Sequence, residues 1–207
     1  WGQPEVRGDL KLFANSAIEL NESHELYAFG SYAERETEGG FFFRNPTNRG
    51  GVYAGPFVAP VTGAALDEAA GGVASVLVGD LSTADTGDCP AGIPLTQGGL
   101  IPDPTVLASV TADDKCFSFV ETIPGGFTPS FGGELEDMSI ALGLRGELAI
   151  GDGLSYDASY KFGDNQVDFF INNTVNASLG PNTPRDFRPG GYGQTENLFN
   201  LDFGYAL

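Results

Sequence analysis

Residues 138–162 read as two alternating runs joined by Gly151-Asp152-Gly153, and no other stretch constrains the fold so tightly. Met138, Ile140, Leu142, Leu144, Leu148 and Ile150 fall on one parity; Ser139, Ala141, Gly143, Arg145, Glu147 and Ala149 fall on the other. Period two is the mark of a strand with one apolar and one polar face. Past the turn the rule repeats, with Leu154, Tyr156, Ala158, Tyr160 and Phe162 set against Ser155, Asp157, Ser159, Lys161 and Gly163. An Asp-Gly turn between alternating runs predicts a hairpin. Its two faces imply two environments. A soluble sandwich buries the apolar side in a dry core, whereas a membrane barrel turns it to lipid and the polar side to the lumen.

Three further runs carry the same alternation. In residues 10–20, Leu10, Leu12, Ala14, Ile18 and Leu20 oppose Lys11, Asn15 and Glu19, with Phe13 breaking the polar parity. In residues 25–43, Tyr27, Phe29 and Ala33 oppose Ala28, Gly30, Tyr32 and Glu34, and the charged stretch Glu34-Arg35-Glu36-Thr37-Glu38 projects into water. At the end of the chain Phe199, Leu201, Phe203, Tyr205 and Leu207 oppose Leu198, Asn200, Asp202 and Gly204. The reading is an all-β chain of about five meander strands, over residues 10–20, 25–43, 138–150, 154–172 and 196–207.

Between these runs the connections alternate short and long: residues 21–24, 44–137, 151–153 and 174–193. Transmembrane antiparallel barrels segregate their loops in this way, with short periplasmic turns at one rim and long extracellular loops at the other. The apolar runs also match the roughly 9 to 11 residues of a tilted membrane-crossing strand. Residues 44–137 are rich in Gly, Pro, Thr and Asp, and so long an irregular segment marks a functional loop. Within it, Leu66 to Ala70 reads as a helical turn, and Val73 to Val78 and Thr105 to Val110 as short strands.

Charge and length exclude several classes. The chain has 207 residues and a net charge of −18, with only 10 Lys and Arg, which argues against nucleic acid as a partner. No apolar run reaches the roughly 18 to 20 residues of a membrane helix. The two cysteines, Cys89 and Cys116, lie in one polar stretch far from any His cluster. Such a pair favours a disulfide and an oxidising compartment over two free thiols, and the bridge would contribute roughly 3 kcal/mol by restricting the unfolded loop. Metal binding is disfavoured, because His24 is the single histidine and stands in a turn. Asp80, Asp85, Asp88, Asp113 and Asp114 offer oxygen atoms for Ca²⁺ but lack an EF-hand spacing, so they read as solvated loop carboxylates. No nucleophile elbow, HExxH motif or phosphate-cradling glycine loop is present, so no enzyme and no cofactor are expected.

Several segments together resemble TonB-dependent outer-membrane receptors. They are Gln3-Pro4-Glu5-Val6, Leu26-Tyr27-Ala28-Phe29-Gly30, the stretch from Glu36 through Phe41-Phe42-Phe43-Arg44 to Pro46, Phe127-Thr128-Pro129-Ser130-Phe131-Gly132-Gly133, and Val167 to Pro181 with its core Asp168-Phe169-Phe170-Ile171-Asn172-Asn173. The resemblance implies a barrel of about 22 strands plugged by an N-terminal domain. It implies import of a scarce ligand, such as a siderophore, haem, cobalamin, oligosaccharide or peptide, powered by the TonB–ExbB–ExbD system acting through the plug. No plug domain or TonB box is recognisable here, so the chain reads as a central barrel fragment whose partner is outer-membrane lipid. Ligand contacts in the family come from extracellular loops. That makes Phe42, Phe43 and Arg44 the candidate binding residues, against a plainer role as aromatic girdle and loop anchor. Arg145, Glu147, Asp157 and Lys161 would pair across strands inside the lumen or face the plug. A secreted β-sandwich adhesin and a passive porin are the competing readings.

Overall fold

A computed structural model describes residues 4–83 and 88–205. The chain forms two compact units, one from Gly2–Gly39, Phe131–Phe170 and Arg188–Leu207, the other from Gly40–Ser130 and Ile171–Phe187.

The first unit is a five-stranded meander sheet. Its strands are β1 (Glu5–Asn21), β2 (His24–Gly40), β8 (Ser130–Leu148), β9 (Leu154–Asn172) and β10 (Phe187–Tyr205), hydrogen-bonded in the order β1-β2-β8-β9-β10. The sheet is antiparallel and open, and does not close into a barrel. All five expected strands are present, and β9 has the bounds read from the sequence. The others differ. The first begins at Glu5, because a bulge at Gly8 (φ 58°) between Arg7 and Leu10 lets pairing with β2 resume after the break. The second stops at Gly40, short of the aromatic triplet. The third and fifth start at Ser130 and Phe187, well before the alternating residues begin. The long connections are correspondingly shorter than 44–137 and 174–193.

Register fixes what each face carries. Across β1 and β2, Leu12 faces Tyr32, Ala14 faces Gly30 and Ile18 faces Leu26, while Asn15 faces Phe29, Ala17 faces Tyr27 and Glu19 faces Glu25. The first set shares a face with Ile140, which is what a Cβ on Gly30 would meet. The second continues into β8 through the Ser31 and Ser139 hydroxyls, 2.8 Å apart, and into β9 where Asn165 donates to Asp137 at 3.0 Å. Two glycines in β8 make room for side chains from β2. Gly146 lies under His24, whose Nδ1 is 3.1 Å from the Tyr156 hydroxyl, and Gly143 lies under Tyr27. His24 therefore opens β2 half-buried against Tyr156, rather than standing in a solvated turn.

The second unit has a core of its own. Tyr53, Val76, Ile93, Val106, Val110, Phe117, Phe119, Val120 and Phe127 are buried together. Around them lie β3 (Ser75–Leu77), β5 (Gly92–Thr96) and β6 (Ile101–Pro102) in one sheet, and β4 (Gly79–Asp80) paired with β7 (Cys116–Phe117). Helix α1 spans Pro104–Thr111 and α2 Phe119–Thr122. The segment is thus a folded insertion, not an irregular loop. Thr105 to Val110 is helical, not a strand: the Asp103 carboxylate accepts from the Thr105 and Val106 amides and Pro104 stands at the first turn, so capping overrides the β-branched content. The helical turn falls at Glu68–Ala70 and the strand near 73–78 at Ser75–Leu77. Cys89 and Cys116 form the expected disulfide, closing a separation of 27 residues.

Candidate functional site

The sheet presents two surfaces of opposite character. On the apolar face Leu12, Ile18, Leu26, Met138, Ile140, Leu142, Tyr160, Phe199, Leu201 and Phe203 are all exposed. At one end of this band stand Tyr156 and Tyr205, the latter receiving the Asp152 amide. At the other end Tyr32 donates to Glu34 at 2.8 Å, and beyond it come Glu36, Glu134 and Glu136. Arg188 joins that carboxylate row, pairing with Glu134 at 2.9 Å while its guanidinium lies 5.0 Å over the Phe170 ring.

The polar face is cross-linked from strand to strand. Arg145 reaches Glu25 at 2.6 Å and lies 5.4 Å over Tyr27, whose hydroxyl donates to Asp157 at 2.7 Å. Two of the four charged residues expected to pair there, Arg145 and Asp157, thus do so with partners from β2. Further along, Phe131 and Phe169 stack at 5.4 Å with planes 19° apart, and Tyr192 follows at 6.0 Å from Phe169. Sequence reading missed this row, because its members come from three strands, and Phe131 and Tyr192 sit in glycine-rich segments without clear alternation.

Phe42, Phe43 and Arg44 belong to the insertion. Phe42 and Phe43 are each 54% exposed. Arg44 is partly buried, and its backbone pairs with Phe127. Burial and the neighbouring Arg49 lower its pKa. These residues do not line the cavity of about 400 Å³ between Leu77–Leu81, Phe117–Phe119 and Ala177–Asn182. Arg185, also unforeseen, lies 5.2 Å over the Phe127 ring and donates to Asn173.

The acidic loop residues are tied into local turns. Asp80 accepts from the Ser82 amide and hydroxyl, which hold its carboxyl below the usual range. Asp113 accepts from the Lys115 amide, and Lys115 pairs with Asp88 at 3.6 Å. Asp85 lies outside the described residues. Among those described, no group of three His, Cys, Asp or Glu side chains is placed to hold a metal ion.

Comparison with protein-family models, curated proteins and solved structures finds no match for the chain.

Proposed function

We propose that this chain is a membrane-spanning wall segment of an outer-membrane receptor of the TonB-dependent kind, serving uptake of a scarce ligand. The observation that carries the reading is the segregation of the sheet's faces. Leu142, Tyr160, Phe199 and Phe203 are 48, 43, 69 and 61% exposed, while ion pairs and amide hydrogen bonds occupy the opposite side. An exposed apolar surface this continuous needs a non-aqueous neighbour. From Met138 to Leu148 the apolar parity runs about 34 Å along β8, or about 26 Å at a tilt near 40°, which matches the apolar band of outer-membrane strands. Tyrosines at both ends and carboxylates beyond one of them fit the interfacial girdle and the water outside it.

The plug, the TonB–ExbB–ExbD machinery and the ligand enter this reading through the resemblance of the segments named above. A soluble sandwich adhesin would instead require a second layer over Leu142 and Phe199. The experiment is fractionation of cells expressing the natural parent protein. Recovery with the outer membrane, released only by detergent, supports the reading; recovery in the aqueous fraction overturns it.

A further inference from the structure

We propose that the polar face carries a stacking platform for a neutral saccharide, made by the Tyr192 ring standing beside the stacked Phe131 and Phe169, next to a notch formed by Asp137, Asn165, Gln194 and Glu196. The proposal names a ligand class for the receptor reading and rests on it only for where the ligand travels.

The platform comes first. Phe131 and Phe169 lie nearly parallel at 5.4 Å, with Tyr192 tilted 50° to Phe169 at 6.0 Å. Phe131 and Phe169 cover each other's facing sides, so the open ring surface of the row is that of Tyr192, which is 60% exposed. A pyranose has an apolar C–H face that lies on such rings while its hydroxyls point sideways. Rings arranged to cage a cation would instead turn their faces towards one point, which near-parallel neighbours do not do.

The notch supplies the sideways contacts. Tyr192, Gln194 and Glu196 alternate along β10, so their side chains share a face at about 7 Å intervals. Next to them is a depression of about 230 Å³ lined by Asp137, Ser139, Gly163, Asn165, Gln194 and Glu196. A Cβ on Gly163 would meet nothing within 4 Å, which keeps the floor open. Asn165 donates to Asp137 at 3.0 Å and Gln194 to Glu196 at 2.7 Å. Each amide has a second N–H and a carbonyl oxygen, and each carboxylate has several acceptor positions, so the notch can both donate to and accept from sugar hydroxyls.

Charge then selects among ligands. Besides Asp137 and Glu196, this face carries Glu19, Glu25, Glu147, Asp157 and Asp202 against Lys11, Arg145 and Lys161. A polyanionic chelate would be repelled, whereas a neutral, hydroxyl-rich ligand would not.

The test is calorimetric titration of the detergent-solubilised natural protein with maltohexaose, cellohexaose and xylohexaose, and with ferric citrate as the polyanionic comparator. At least one neutral hexasaccharide should bind. Tyr192→Ala should weaken it at least tenfold, Gln194→Ala about threefold, and Leu201→Ala on the opposite face should leave it unchanged. Tyr192→Trp should retain it, which separates loss of the platform from loss of the fold. Binding of ferric citrate alone, saccharide binding indifferent to Tyr192, or no saccharide binding by a folded protein would overturn the proposal. Saccharide binding by a protein recovered without detergent would keep the platform and remove the membrane reading; membrane insertion without saccharide binding would do the reverse.

Discussion

Tyr27 lays its ring over the bare backbone of Gly143 and delivers its hydroxyl to Asp157 at 2.7 Å, so that one side chain from β2 spans β8 to reach β9. A Cβ on Gly143 would stand 2.1 Å from Tyr27 Cζ. Gly143→Ala should therefore expel the ring and cost more than Tyr27→Phe, which forfeits one hydrogen bond worth about 0.5–1.5 kcal/mol. In a Tyr27→Ala background the glycine substitution should become nearly neutral. Urea unfolding of the four proteins measures the coupling, and additive effects would show that the two residues do not depend on each other.

The bridge between Cys89 and Cys116 joins the segment before β5 to β7. With a sequence separation of 27 between the two cysteines, the loop-entropy relation assigns it about 3–4 kcal/mol. Replacing both cysteines with serine should lower the stability of the insertion by that order while leaving the sheet's amide protection intact. Hydrogen exchange read segment by segment checks this, and equal loss of protection in β9 would contradict it.

Tyr53 is fully buried and donates to the Ile123 carbonyl at 2.9 Å. Burial pushes its pKa up to about 12, because the phenolate would lose hydration. A raised value in the folded state means that the stabilisation is complete below the unfolded value, near 10, and is lost as pH climbs towards 12. The insertion should thus loosen between about pH 10 and 12. Tyr53→Phe should flatten that dependence at a cost near 1 kcal/mol for the missing hydrogen bond. Near-ultraviolet dichroism against pH is the measurement; an unchanged alkaline profile in the variant would assign the transition elsewhere.

Leu142 and Asn200 lie on opposite faces of the sheet. If the apolar face meets hydrocarbon, Leu142→Arg should cost about 2–4 kcal/mol in lipid vesicles, the penalty for a cation near the bilayer centre. Asn200→Arg, on the polar face, should change stability far less. Equal penalties for the two substitutions would mean equivalent surroundings.

Parity was the legible part of this fold. Residues such as Ile140, Leu142 and Tyr160 announce their face because neighbours two apart share it, and the bounds of β9 follow from that. Legibility ended where glycine and charge replaced alternation. Gly132, Gly133, Glu134 and Glu136 extend β8, and Gly190, Gly191 and Gly193 extend β10, because adjacent strands supply hydrogen-bond partners whatever the side chains prefer. Gly132 is needed there, since the Phe170 ring fills the space a Cβ would take. In the insertion, the β-branched content of Thr105 to Val110 suggests a strand, but Asp103 and Pro104 start a helix, and Val106 and Val110 then pack one turn apart into the core. Of the candidate residues, Arg44 anchors a loop stem through its backbone, while the Phe131, Phe169 and Tyr192 row needed three strands in register before it existed at all.

Because β2 and β8 are hydrogen-bonded neighbours, the chain departs at Gly40 and returns at Ser130 on adjoining rails. Whatever is spliced between those rails leaves the register of the wall untouched, and doubling its length adds only about 0.6 kcal/mol of closure entropy. The insertion with its own core and disulfide is therefore an exchangeable cassette, and it can be rewritten wholesale while the pairing of β2 with β8 stays as it is.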